Sequence, residues 1–302
     1  MTAGTVVVVV SFLLVAPIFT LLFFGARFRS RLRRHPDFTP SAKPPTWAGS
    51  IAYAPPEHPL LDELRERYDL RAIAGEGSEI DRLVRLMQWA HGLTTHASKP
   101  SRPERMNGLH LAKLAQENGK RFNCWMYATV LNDALLSLGF ASRITHLWPY
   151  KEEPNESHVV TSVYSREHRK WLLIDPDMRA YLTDERGVPL SVLEVRDRII
   201  HRKPMHVSNT IHMAGASLLG KRLLKRLYIW YLSKNIFRID CPARSEPDYE
   251  SKPSGRVYLH LIPDDYHDEW LKAPRVTARG NTIHYVRDPE AFWQAPVAPR
   301  IE

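Results

Sequence analysis

"KRFNCWMYATVLNDALLSLGFASR" (residues 120–143) is the stretch on which the reading of this chain turns. From Cys124 to Leu138, the residues Met126, Tyr127, Val130, Leu131, Ala134, Leu135 and Leu138 recur at helical spacing. Gly139 follows, where a helix C-terminus favours a left-handed residue. The pattern predicts a buried helix with a thiol at its first position. A thiol there faces unpaired backbone N–H groups and the positive end of the helix dipole, and both favour thiolate, the nucleophilic form. A buried structural cysteine is the competing reading.

Two more helices are expected upstream. "SEIDRLVRLMQWAHG" offers Ser78 as N-cap with Asp81 three residues on, and sets Ile80, Leu83, Val84, Met87 and Ala90 on one face. "NGLHLAKLAQENG" reads as a shorter helix that begins at Asn107 and stops at Gly119. Downstream come strands: a short one over Ala141–His146, then "HVVTSVY" (158–164) and "RKWLLID" (169–175), joined by "SREH". Helices first and strands afterwards predict an α+β fold with an antiparallel sheet.

The hairpin brings chemistry to the thiol. If Ser165–His168 form its loop, Tyr164 pairs with Arg169 and His158 lies opposite Asp175. Directly opposed side chains stand about 5 Å apart at Cβ, close enough for the carboxylate to accept an imidazole N–H. That contact would orient a general base toward Cys124. A slip of one residue would send the two side chains to opposite faces.

With these parts in place, "FNCWMYATVLNDALLSLGFASR" followed by "SHVVTSVYSREHRKWLLIDPD" resembles the transglutaminase-like superfamily of papain-like cysteine enzymes. The shared pattern is a Cys opening a helix, the Gly139–Arg143 segment, His158 heading a strand, and Trp171–Asp175 ending one. The resemblance implies a papain-like core with a Cys124–His158–Asp175 triad. It also implies acyl transfer through a thioester, with hydrolysis of a peptide or amide bond favoured over protein crosslinking. A silent module binding peptide or glycan in the same cleft is the reading from another class. For the carbonyl oxygen the backbone N–H of Cys124 is the natural donor. Gln116, Asn118 and Asn123 are side-chain candidates, of which Gln116 is preferred, and each is equally suited to helix capping or solvation.

The composition sets limits. The 302 residues, 44% hydrophobic and 25% charged, suit an ordinary folded protein with a proper core. Two cysteines cannot staple such a chain, no CxxC pair suggests zinc, and Cys241 before a proline reads as structural. His91, His96, His146, His206, His212, His260, His267 and His284 are scattered without metal-ligand spacing, so no metal or other cofactor is expected. The net charge of +9 comes without any nucleic-acid-binding motif, and the expected partner is a protein or peptide substrate.

The apolar run Thr5–Ala26 has the length to cross a ~30 Å hydrocarbon core and reads as a single-pass membrane anchor. Five arginines at 27–34 favour a cytoplasmic location for the rest, with the opposite side as the alternative. The expected organisation is an anchor with its basic flank (1–34), a Pro-rich linker (35–60), the catalytic core (61–200) and an extension packed on it (201–302). In the extension, the segment around Leu218–Leu232 has basic and apolar residues at helical spacing, which suits packing on the domain or resting on an anionic membrane surface.

Overall fold

The computed structural model describes residues 27–38, 47, 49–151, 157–213, 220–264, 266 and 272–296. After a short strand β1 (Ala52–Tyr53), five helices follow: α1 (Pro59–Arg67), α2 (Leu70–Ala74), α3 (Glu79–Gly92), α4 (Gly108–Asn118) and α5 (Cys124–Ser137). Their ends follow the capping chemistry in the sequence. Ser78, Asn107 and Asn123 accept from the backbone N–H three residues on, and Gly119 closes α4 in the left-handed region at φ 61°. Helix α5 is buried from Met126 to Ser137, so the other helices pack around it.

The sheet begins with β2 (Ser142–Trp148), β3 (His158–Ser165), β4 (Lys170–Asp175) and β5 (Ala180–Thr183). Helix α6 (Val192–His201), strand β6 (His206–Val207) and helix α7 (Lys221–Asn235) follow. The chain then returns through β7 (Arg238–Pro242), β8 (Arg244–Ser245), β9 (Val257–Leu261), β10 (Arg275–Val276), β11 (Thr282–Val286) and a last helix α8 (Pro289–Phe292). Among the described residues nine strands form one sheet in the order β10-β11-β9-β7-β2-β3-β4-β5-β6, while β1 and β8 pair separately. The α+β expectation stands, with one difference: β9 and β11 run parallel within the otherwise antiparallel sheet. Four strands from beyond residue 200 (β7, β9, β10 and β11) thus continue the sheet from β2 outward.

The sheet divides two cores. Leu172 and Ile174 join the helices α1–α5 on one face, and Leu173 joins α6 and α7 on the other. This explains why "WLLI" is continuously apolar: a strand covered on both sides has no solvent face to alternate with.

The membrane-anchor reading is corrected. Among the described residues no helix is long and apolar enough to cross a membrane, and Thr5–Ala26 lie outside those residues. The arginine-rich segment 27–34 is helical and packs on the protein, with Leu32 buried among the residues of α6 and α7 and Arg33 Nε donating to Ile200 O at 3.0 Å.

Candidate active site

Cys124 is the first residue of α5, held there because Asn123 Oδ1 accepts from Met126 N–H at 3.1 Å. The thiol is partly exposed and lines a cavity of about 1230 Å³. Residues at a helix's first turn have no intrahelical acceptor for their N–H, so the start of α5 presents donors where the thiol sits.

His158, the first residue of β3, is fully buried. Its Nε2–H donates to Asp175 Oδ2 at 2.6 Å, which leaves Nδ1 buried without a hydrogen-bond partner. Asp175 ends β4 and is fixed from three directions. Oδ2 also accepts from Tyr228 O–H at 2.8 Å, and Oδ1 accepts from Met178 N–H at 3.0 Å. The Tyr231 ring packs against the imidazole in a T-shaped contact, with centroids 4.9 Å apart. Burial is the largest single influence and disfavours the charged imidazole, but the Asp175 carboxylate, Tyr231 and the Cys124 thiol together outweigh it and hold His158 well above the usual histidine range. Burial also pushes Tyr231 up to about 12.

The hairpin register differs from expectation by two residues. Tyr164 pairs with Trp171 and Ser165 with Lys170, so the turn spans residues 166–169, with Arg169 left-handed at φ 51°. A shift of two preserves which face each side chain occupies. His158 therefore meets Asp175 on the diagonal rather than straight across.

A second histidine–carboxylate pair stands beside the first. Asp177, 4% exposed, accepts from His96 Nδ1–H at 2.8 Å. That hydrogen bond outweighs burial and raises His96 above its ordinary value. Between the two pairs, Pro176 O accepts from His91 Nδ1–H at 2.9 Å. Three consecutive residues thus each hold a different imidazole. Cys124 Sγ, a His158 ring nitrogen and an Asp177 oxygen lie within 4.8 Å of one another, a sulfur–nitrogen–oxygen set of the kind that ligates transition metals.

The far wall of the cavity comes from the strands beyond β2. Asp240 accepts from His146 Nδ1–H at 2.6 Å and from Trp148 Nε1–H, and Glu250 pairs with Arg256 at 2.9 Å. His260, desolvated beside them, falls to about 4. Of the side-chain donors expected from sequence, Asn123 lines the cavity, whereas Gln116 and Asn118 are exposed on α4 and do not. Cys241 is buried 3.7 Å from Arg143 Nη1, and desolvation raises it to about 11.

Sequence reasoning missed His96, Asp177, Tyr228 and Tyr231. For Asp177 a signal existed, since it shares its parity with Asp175 two residues away. For the two tyrosines the only cue was their three-residue spacing on a helix of mixed basic and apolar residues.

Residues 67–176 match the model of the transglutaminase-like superfamily. This transglutaminase-like segment contains Cys124, His158 and Asp175, and stops one residue short of Asp177. It supports the resemblance read from the sequence. None of the curated proteins matches the chain. Among solved structures, one described as "a Putative Cysteine Protease from Cytophaga hutchinsonii" aligns at 12% identity with a TM-score of 0.30. The alignment covers 54% of this chain and 58% of that one, a likeness too distant to bear on the site.

Proposed function

We propose that the chain is a cysteine-dependent hydrolase that opens a peptide or amide bond through a thioester on Cys124. The observation that carries this reading is the buried His158, anchored by Asp175 through Nε2, with a ring nitrogen within 4.8 Å of Cys124 Sγ. The transglutaminase-like match supports the same class.

In this reading the Sγ proton already rests on the raised His158, at Nδ1, and the thiolate bonds to the substrate carbonyl carbon. The imidazolium next to Asp175 then protonates the amine nitrogen as the C–N bond breaks. Asp175, itself fixed by Tyr228 and Met178, holds the tautomer with its proton on Nε2. The carbonyl oxygen takes hydrogen bonds from the open first turn of α5, Cys124 N–H included, each worth about 3 kcal/mol. With Gln116 outside the cavity, that role falls to main-chain donors and to Asn123, which lines it.

The test is thiol labelling with an iodoacetamide probe at neutral pH, followed by identification of the modified peptide and an assay on a peptide library. Labelling should fall on Cys124, because Cys241 is buried, and Cys124→Ala should abolish both labelling and turnover. Undiminished turnover in that variant would overturn the proposal.

A further inference from the structure

The acyl-enzyme scheme uses one imidazole, yet the thiol has a second one nearby that this scheme leaves idle. His96 and Asp177 both line the cavity with Cys124, and the Asp177 carboxylate lies within 4.8 Å of Sγ. Packing alone gives no reason to bury an acid there: an anion beside a nucleophilic sulfur opposes thiolate formation unless a cation or donor balances it. His96 supplies that balance through Nδ1–H. Its Nε2 has no hydrogen-bond partner among the described residues, and the side chain stays 28% exposed in the cavity. The arrangement repeats that of His158 and Asp175, on a carboxylate two residues along the same backbone. The two imidazoles differ in access. His158 is sealed from solvent, whereas His96 is reachable by water.

We infer that His96, oriented by Asp177, is the general base that brings water to the thioester, while His158 serves the acylation half. The inference rests on the proposed thioester chemistry and assigns its second step. His96 Nε2 takes a proton from water as the water oxygen bonds to the acyl carbon. The C–S bond then breaks, sulfur recovers the proton from His96, and a carboxylic acid leaves. Water is the only co-reactant, and both imidazoles end as they began. Splitting the two halves between a sealed and a wet base keeps bulk water away from His158 while the amine is departing. Asp177 acts through His96 and is a positioning residue.

Because the natural substrate is unidentified, the experiment uses p-nitrophenyl acetate with the full chain. A burst of one p-nitrophenolate per Cys124 reports acylation, and the later steady rate reports hydrolysis of the acetyl-enzyme. His96→Gln should keep the burst and slow the steady rate about 10²-fold, with acetyl-Cys124 accumulating by mass spectrometry. Asp177→Asn, which retains an acceptor but loses the charge, should slow the same step less. Added imidazole should accelerate the steady rate of His96→Ala. A steady rate in His96→Gln within about two-fold of the parent overturns the assignment. So does loss of the burst in a variant whose circular dichroism is unchanged. Absence of a burst in the parent instead overturns the thioester reading beneath it.

Discussion

Asp175 has no exposed surface and bonds a ring nitrogen, a phenol and a backbone amide at once. Removing the Tyr228 hydroxyl would leave the carboxylate one donor short in a dry site. Tyr228→Phe should therefore destabilise by about 2 kcal/mol in urea unfolding, the range for a hydrogen bond to a charged group. The acid also sets a pH dependence. His158 has a folded pKa well above its unfolded value near 6.5, so protonation favours the folded state. That contribution is complete below pH about 6.5 and is lost as pH rises through the folded value. His96, also raised, adds in the same direction. Stability should decline on the alkaline side of neutrality, and Asp175→Asn should flatten the decline. Urea midpoints measured from pH 6 to 9 check both, and an unchanged slope in the variant would contradict the assignment.

Helix α5 carries the nucleophile, and its position depends on how closely α4 approaches it. Gly108 is the point of contact: its N–H donates to Asp133 Oδ2 at 2.7 Å, and a Cβ there would stand 2.9 Å from Asp133 Cβ and 3.1 Å from Leu64 Cδ2. Gly108→Ala should therefore cost about 1–3 kcal/mol by overpacking, read as a lowered thermal midpoint. Helices α3, α4 and α5 were legible in the sequence because capping residues and apolar period are local properties. The face shared by His158 and Asp175 was legible because side chains alternate with period two. The register was not. "SREH" contains no Gly or Asn to announce its turn, and the residue that takes the left-handed conformation is Arg169, which sequence preference disfavours. His96 and Tyr228 were hidden for another reason. Each reaches the site across a long chain separation, from a loop and a helix with no local pattern pointing there.

At the scale of the whole molecule, residues beyond 200 complete the sheet, one wall of the cavity and the support of Asp175. Strand β7 pairs with β2 through His146↔Asp240, Leu147↔Ile239 and Trp148↔Arg238, and α7 covers Leu173 and Val160. A chain ending at residue 200 would expose both the β2 edge and that core, and would lose Tyr228. It should be insoluble or melt without a cooperative transition, as measured by soluble yield and thermal circular dichroism. The far end is fastened as well. Arg143 lies between Trp171 and Trp293, with its guanidinium carbon 4.4 and 4.3 Å from the ring centroids, and Trp171 Nε1–H donates to Trp293 O at 3.0 Å.

The run Asp175–Pro176–Asp177 ties three imidazoles to one short length of main chain. Their hydrogen bonds are therefore not independent: a shift of that backbone would displace the acceptors of all three rings at once, as teeth move on one comb.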